Sequence, residues 1–331
     1  MFIEENCILC GECFTQCHWI EADHDTAEQW MQEIIDGKNS EVLQQCVTCY
    51  SCNERCPQEA NPFDRIAELQ DKYRSLLPDK ALAQLERQFE FKGQLADTPQ
   101  ADRIMSVCIF GRTHQSLMQG ELYDLPQVGG KPYFCWIMLG HAGAVSIQKA
   151  RAQQFVNRLA ATEAEEIVCF HDDCYTMLTR EAPDYGIEVP FRPVHLTEYL
   201  ADYLEANQDR ITPLNMEMAY QRPCASKLTP EKEPHIDRLF ELAGVRRVDR
   251  FYDRENGMCC GGAPTLLQIG DPDNNRKMNL SDALNYGAKA MVCLCPMCME
   301  QLNPIASEMN LPLIFIGDIA RMALGEIDAP F

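Results

Sequence analysis

The stretch Val292-Cys293-Leu294-Cys295-Pro296-Met297-Cys298 aligns with Val168-Cys169-Phe170-His171-Asp172-Asp173-Cys174 at a shift of 124 residues. At the same shift Cys135-Trp136 lies beneath Cys259-Cys260, so two separated blocks agree without a gap. Self-similarity of this kind marks a duplicated structural unit. Working outward, each copy reads as an early strand near a cysteine (105–110; 217–220 before Cys224), a cysteine block, a helix, a short apolar strand (167–170; 290–294) and a further helix. This alternation predicts two α/β units, 101–210 and 211–331, with their cysteine loops at the strand ends where open sheets carry ligands.

The second copy keeps five cysteines at regular separations: 34 residues lie between Cys224 and the doublet Cys259-Cys260, which Gly261-Gly262 follows, and 34 between Cys260 and Cys295-Pro296-Met297-Cys298. Adjacent cysteines cannot both face one side of a regular helix or strand, so Cys259-Cys260 demands an irregular loop. Gly261 and Gly262 permit that loop and let backbone amides approach a ligand there. In the first copy Trp136 stands opposite Cys260, Ile137 opposite Gly261 and His171 opposite Cys295, which leaves Cys108, Cys135 and Cys174. The indole is expected to fill the space a cluster would need, giving a packed, metal-free vestige. A Cys/His zinc site from Cys135, His171 and Cys174 is the alternative. Cys169 and Cys293 fall inside apolar strands and read as core.

Residues 1–77 hold eight more cysteines, as Cys7-x2-Cys10-x2-Cys13-x3-Cys17 and Cys46-x2-Cys49-x2-Cys52-x3-Cys56-Pro57. Both runs have the spacing of two-cluster [4Fe–4S] ferredoxins, in which the fourth cysteine reaches the other cluster. The expected pairing is therefore crossed: Cys7, Cys10, Cys13 and Cys56 for one cubane, Cys46, Cys49, Cys52 and Cys17 for the other. A zinc ribbon does not need a third and fourth cysteine twice over, and the x3 spacing before Cys17-His18 fails the haem-attachment pattern. His18 reads as a solvent-facing or capping residue. Helices are predicted over 25–37 and within 57–77, the latter with Pro62 in its first turn, and 78–100 reads as a connector. The fold class is thus mixed: a helical ferredoxin-like domain ahead of two tandem α/β repeats, the first degenerate.

On these motifs the chain resembles the CCG-domain iron–sulfur oxidoreductases. The five-cysteine pattern is similar to the B-type subunit of heterodisulfide reductase and to the iron–sulfur subunits of glycolate oxidase and anaerobic glycerol-3-phosphate dehydrogenase. The N-terminal part is similar to the C-type subunit of heterodisulfide reductase, here fused ahead of the B-like part. The resemblance implies a non-cubane iron–sulfur centre held by Cys224, Cys259, Cys260, Cys295 and Cys298, with Gly261 and Gly262 shaping its loop. It further implies a flavoprotein partner, like the A-type flavoprotein of heterodisulfide reductase or another FAD protein. Two functions follow: an electron-transfer subunit, or a reductase cleaving a disulfide at Cys224, Cys259 and Cys260. The degenerate first copy favours the relay, because the resembling reductase uses two such centres.

Composition agrees with this reading. Eighteen cysteines in 331 residues exceed what packing requires, and the start MFIEENCILC has neither a basic nor an apolar leader segment. No apolar stretch is long enough to insert in a membrane, so a reduced, cytoplasmic setting is expected. A net charge of −21 disfavours nucleic acid as a partner. Val128-Gly129-Gly130 reads as a turn and Asp271–Asn275 as a solvated loop. No GxGxxG occurs, so the chain is not expected to bind its own flavin.

Overall fold

The computed structural model describes residues 1–95 and 98–330. Within the connector 78–100, residues 96 and 97 lie outside the described residues, as does Phe331 of the second unit. The first α/β unit carries β1 (Arg103–Ser106), β2 (Gln127–Val128), β3 (Glu166–Cys169) and β4 (Arg192–His195), all parallel in the order β2-β1-β3-β4. The second carries β5 (Met216–Gln221), β6 (Val245–Arg247), β7 (Ala290–Cys293) and β8 (Leu313–Phe315) in the equivalent order β6-β5-β7-β8, again parallel. The central strands β3 and β7 are the apolar runs that the internal repeat singled out. Ile167, Val168 and Cys169, and all of Ala290–Cys293, are fully buried, as parallel strands covered by helices on both faces must be. Val145–Ala160 and Pro272–Asn285 are the long helices that lead into them.

The early strand expected over 105–110 instead spans Arg103–Ser106. Cys108 sits at a left-handed φ of 49°, which turns the chain out of the sheet, and Phe110 already opens a short helix. Strands β2, β4, β6 and β8 were not expected; Val128, read as part of a turn, pairs in β2 before Gly130 turns at φ 81°.

In the N-terminal domain Asp23 caps the helix His24–Ile35 by accepting the Thr26 amide at 2.8 Å. That helix buries Ala27, Met31 and Ile34 against Val42, Leu43, Ile66 and Leu69. Ile66 and Leu69 come from the helix Pro62–Tyr73, which does begin at Pro62. The connector contains the helix Asp79–Phe89, whose Leu82 is buried in the core of the first unit, while Phe89 stacks on Phe134 at 4.3 Å. Among the described residues no helix is long and apolar enough to cross a membrane.

The two α/β units meet across a buried ionic knot. Asp172 and His195 from the first unit face Ser226, Thr229 and Lys232 from the second; Lys232 Nζ and Ser226 Oγ, the latter at 3.0 Å, both donate to Asp172.

Candidate metal centres

The two N-terminal runs share one backbone path. Leu9 and Thr48, just before Cys10 and Cys49, have φ of 56° and 57°; Gly11 and Tyr50, just after them, have 69° and 63°. Paired left-handed residues coil each chain so that successive x2 cysteines turn toward a common centre. Cys7, Cys10, Cys13 and Cys56 line one small cavity; Cys17, Cys46, Cys49 and Cys52, with Cys13 at the boundary, line a second. Each cavity thus draws its fourth cysteine from the other run. Burial is the largest influence on Cys46, Cys52 and Cys13 and pushes each thiol well up, so these sulfurs ionise only against a cation.

The five cysteines of the second unit also converge. Cys224 follows β5, and Cys295 and Cys298 follow β7 at the opening of the helix Pro296–Glu308. The Cys259-Cys260 loop comes between them. Cys224 Sγ lies 3.4 Å from Cys259 Sγ, and hydrogen-bond contacts continue from Cys259 to Cys260, to Cys298 and to Cys295. Gly261, at φ 80°, donates its amide to Cys259 Sγ at 3.4 Å. A Cβ on Gly261 would come within 3.0 Å of the Arg276 guanidinium, which itself binds the carbonyls of Cys260 and Gly261 at 2.9 Å. Glycine is needed here for both its dihedral and its room. Gly262 opens the short helix after the loop, and an added Cβ would meet Cys260 Sγ at 3.7 Å.

Electrostatics make this sulfur chain incomplete by itself. Hydrogen bonds from neighbouring thiols hold Cys259 and Cys295 well below the usual thiol range. The same bonds, with burial, push Cys224, Cys260 and Cys298 well above it. Five neighbouring sulfurs, four of them on buried residues, cannot all ionise without cationic compensation. The donor set therefore fits a polynuclear iron centre.

The N-terminal domain packs directly on this centre. Tyr50, Phe63 and Ala67 form a small buried cluster that touches Cys46 and Cys52 on one side and Cys224 and Leu228 on the other. The seam is tied by Lys227 donating to Ser51, Arg222 to Glu54 at 2.6 Å and Arg55 to the Glu255 carbonyl at 3.1 Å. His18 is not a solvent-facing residue: its Nε2 lies 3.1 Å from Asn256 Oδ1 and 3.0 Å from Arg55. Burial, helped by the Arg55 charge, lowers its pKa to about 4, so it sits neutral in the seam.

In the first unit the loop geometry shifts the expected alignment by one residue. Trp136, at φ 68°, precedes the helix Ile137–His141 just as Gly261 precedes Gly262–Leu267. Cys135 is thus the counterpart of Cys260, and Phe134 that of Cys259. Trp136 is buried against Phe134, 5.2 Å between centroids, with the Arg151 guanidinium over its ring. Cys108, Cys135 and Cys174, all buried, bring their Sγ atoms within 4.8 Å of one another. His171 lies between the two units, its Nε2 3.2 Å from Cys295 Sγ. The sequence singled out all four residues but left Cys108 out of its candidate Cys/His set; the approach of Cys108 to the other two depends on the turn after β1. Arg276, which binds the carbonyls of Cys260 and Gly261, and Lys227, which donates to Ser51 across the seam, carried no motif at all.

The family of 4Fe-4S dicluster domains matches residues 4–60. The D-type subunit of a Methanosarcina barkeri heterodisulfide reductase, a dihydromethanophenazine:CoB–CoM enzyme by name, is 23% identical over 320 residues, covering 90% of this chain and 71% of that protein. The probable iron–sulfur-binding oxidoreductase FadF of Bacillus subtilis is 23% identical over 315 residues, covering 82% of this chain but 44% of FadF. The C-type subunit of the ferredoxin:CoB–CoM heterodisulfide reductase of Methanosarcina acetivorans is 31% identical over 69 residues, 20% of this chain and 28% of that protein. A hypothetical protein of Helicobacter pylori shares the fold with a TM-score of 0.59 at 12% identity, over 82% of this chain and 60% of that one. With its dicluster domain and its cysteine-lined sheet ends, the chain is an iron–sulfur oxidoreductase related to the D-type subunits of heterodisulfide reductase and to FadF.

Proposed function

We propose that this chain is the electron-transfer component of a multi-subunit oxidoreductase, linking a flavoprotein partner to a terminal non-cubane centre on Cys224, Cys259, Cys260, Cys295 and Cys298. The observation that carries the reading is the seam: one buried cluster, Tyr50, Phe63 and Ala67, touches Cys46 and Cys52 as well as Cys224. When bound, iron–sulfur clusters supply one-electron carriers whose potentials are set by hydrogen bonds, charge and burial. The chain's own residues supply those settings. The Gly261 amide and the buried Lys227 ammonium place positive charge beside Cys259, and the His171 ring approaches Cys295. Tyr50 and Phe63 are buried in the seam and pack edge to face at 4.6 Å. Relatives named as heterodisulfide reductase subunits support a multi-subunit setting.

A cavity of about 330 Å³ favours a second reading, direct disulfide reduction. It is lined in part by Tyr50, Phe63 and Ala67, the cluster against which Cys224 packs, and its volume suits a small ligand. In that reading a disulfide would take two electrons and two protons to give two thiols, with the flavoprotein as the source of electrons. The test uses the anaerobic full-length chain with reduced methyl viologen as donor and small disulfides, including the CoB–CoM heterodisulfide, as acceptors. The relay reading predicts no turnover; sustained turnover would overturn it in favour of the reductase.

A further inference from the structure

Arg222, Lys227 and Lys232 follow β5 and are each at most 2% exposed. Two of these cations have anionic partners: Arg222 pairs with Glu54 and Glu233, and Lys232 with Asp172. Lys227 forms no ion pair among the described residues; its ammonium donates to the neutral hydroxyl of Ser51. An unpaired buried ammonium is costly, so the compensating negative charge must come from the groups around it.

Those groups are sulfurs, on both sides of the seam. Ser51 Oγ also lies 3.4 Å from Cys49 Sγ, so one hydroxyl links the ammonium to the cavity of Cys17, Cys46, Cys49 and Cys52. On the other side the Lys227 amide donates to the Cys224 carbonyl at 3.1 Å, a turn that keeps the side chain beside the five-cysteine set. Hydrogen bonds from Cys224 and Cys260 are the largest influence holding the Cys259 thiol low, and the Lys227 charge adds to them. At Cys224 the bond to Cys259 and burial push the thiol up, and the same charge opposes them.

We propose that the Lys227 ammonium is shared by the cluster of Cys17, Cys46, Cys49 and Cys52 and by the terminal centre, raising both reduction potentials so that electrons run downhill from the Cys7–Cys56 cluster inward. The proposal rests on the relay reading and gives it a direction. A fixed cation stabilises the electron-rich state of a cluster beside it, and burial weakens the screening. The Cys7–Cys56 cluster lacks that help. Among the described residues the lining of its cavity carries no cationic side chain, and the Glu4 carboxylate adds to the burial and the neighbouring sulfurs that raise the Cys7 thiol.

The test is redox titration of the anaerobic full-length chain, with each centre followed by electron paramagnetic resonance. Lys227→Gln keeps a donor for Ser51 but drops the charge. In that variant the reduction equilibrium constants of one cubane and of the terminal centre should fall at least about tenfold, or about 59 mV for one electron. The other cubane should stay within about twofold of wild type. Lys227→Arg should bring both shifted centres back to within about threefold, whereas packing alone would make the bulkier arginine the worse substitution. Unmoved potentials in a Lys227→Gln chain with its full iron would overturn the proposal and leave the relay standing. A Lys227→Arg chain shifted as far as Lys227→Gln would do the same. In the wild type alone the terminal centre should be reduced before at least one cubane; a terminal centre reduced last of the three defeats the gradient even if neither variant folds. A wild type with no third redox-active centre would instead sink the relay, and the proposal with it.

Discussion

Cys260→Ser should reduce electron passage through the assembled complex by more than about a hundredfold, since even changes beyond the ligands themselves cost metal sites up to about that much. Cys260 stands in the middle of the sulfur chain, in contact with Cys259 and Cys298. Removing it divides the five-cysteine set into Cys224–Cys259 and Cys295–Cys298. None of the N-terminal cysteines is touched, and the backbone around Gly261 stays pinned by Arg276. The variant should therefore retain the low-temperature electron paramagnetic resonance of two reduced cubanes while losing the signal of the third centre. The assay follows reduction of the native acceptor by the complex captured through a tag on this chain. Passage within a factor of about three of wild type would mean that electrons leave the chain before reaching Cys224–Cys298.

Lys232→Met should destabilise the chain by about 3–5 kcal/mol, the usual cost of removing one partner from a buried ion pair. Asp172 is completely buried; burial pushes its carboxyl up, but the Lys232 charge and the His195 hydrogen bond win and hold it well below the usual range. Lys232 is itself buried, its pKa lowered by desolvation against the opposing pull of Asp172. Methionine matches the length of the stem but leaves the carboxylate with only Ser226 at 3.0 Å and His195 Nε2 at 3.2 Å. Because the knot joins the two α/β units, the loss should appear as an earlier urea transition by far-ultraviolet circular dichroism under anaerobic conditions. Asp172→Asn in the same chain should restore much of the loss, by removing the unpaired charge. A single-variant effect below about 1 kcal/mol would show that water or a neighbouring group already compensates Asp172.

The contrast between these two residues marks what the sequence could reveal. Cys260 is legible because thiolate ligation leaves spacing: doublets, x2 intervals and matched 34-residue separations survive in the linear order. Lys232 and Asp172 lie 60 residues apart with no pattern around either, and only the docking of two sheets brings them together. The fold shows the same division. Strands β3 and β7 are apolar runs buried on both faces and were readable as a repeat, whereas β2 has two residues and β4 reads Arg192-Pro193-Val194-His195. Short edge strands bury little, so their periodicity is weak. The linear alignment of Trp136 with Cys260 was one residue off, because shift-matching carries no dihedral information and the left-handed turn is the feature shared by Trp136 and Gly261. The crossed grouping of Cys17 and Cys56 is an expectation from ferredoxin spacing; Cys56 lines the cavity of Cys7, Cys10 and Cys13, and Cys17 that of Cys46, Cys49 and Cys52.

The central claim is that three iron–sulfur centres, two in residues 1–77 and one on Cys224–Cys298, occupy a single chain. Iron and acid-labile sulfide analysis of anaerobically purified protein, resolved into cluster types by Mössbauer spectroscopy, tests it most directly. The account predicts about twelve irons per chain, with about eight in cubane environments and about four in a distinct one. About eight irons, all of the cubane type, would contradict it by removing the terminal centre on which the proposed relay depends.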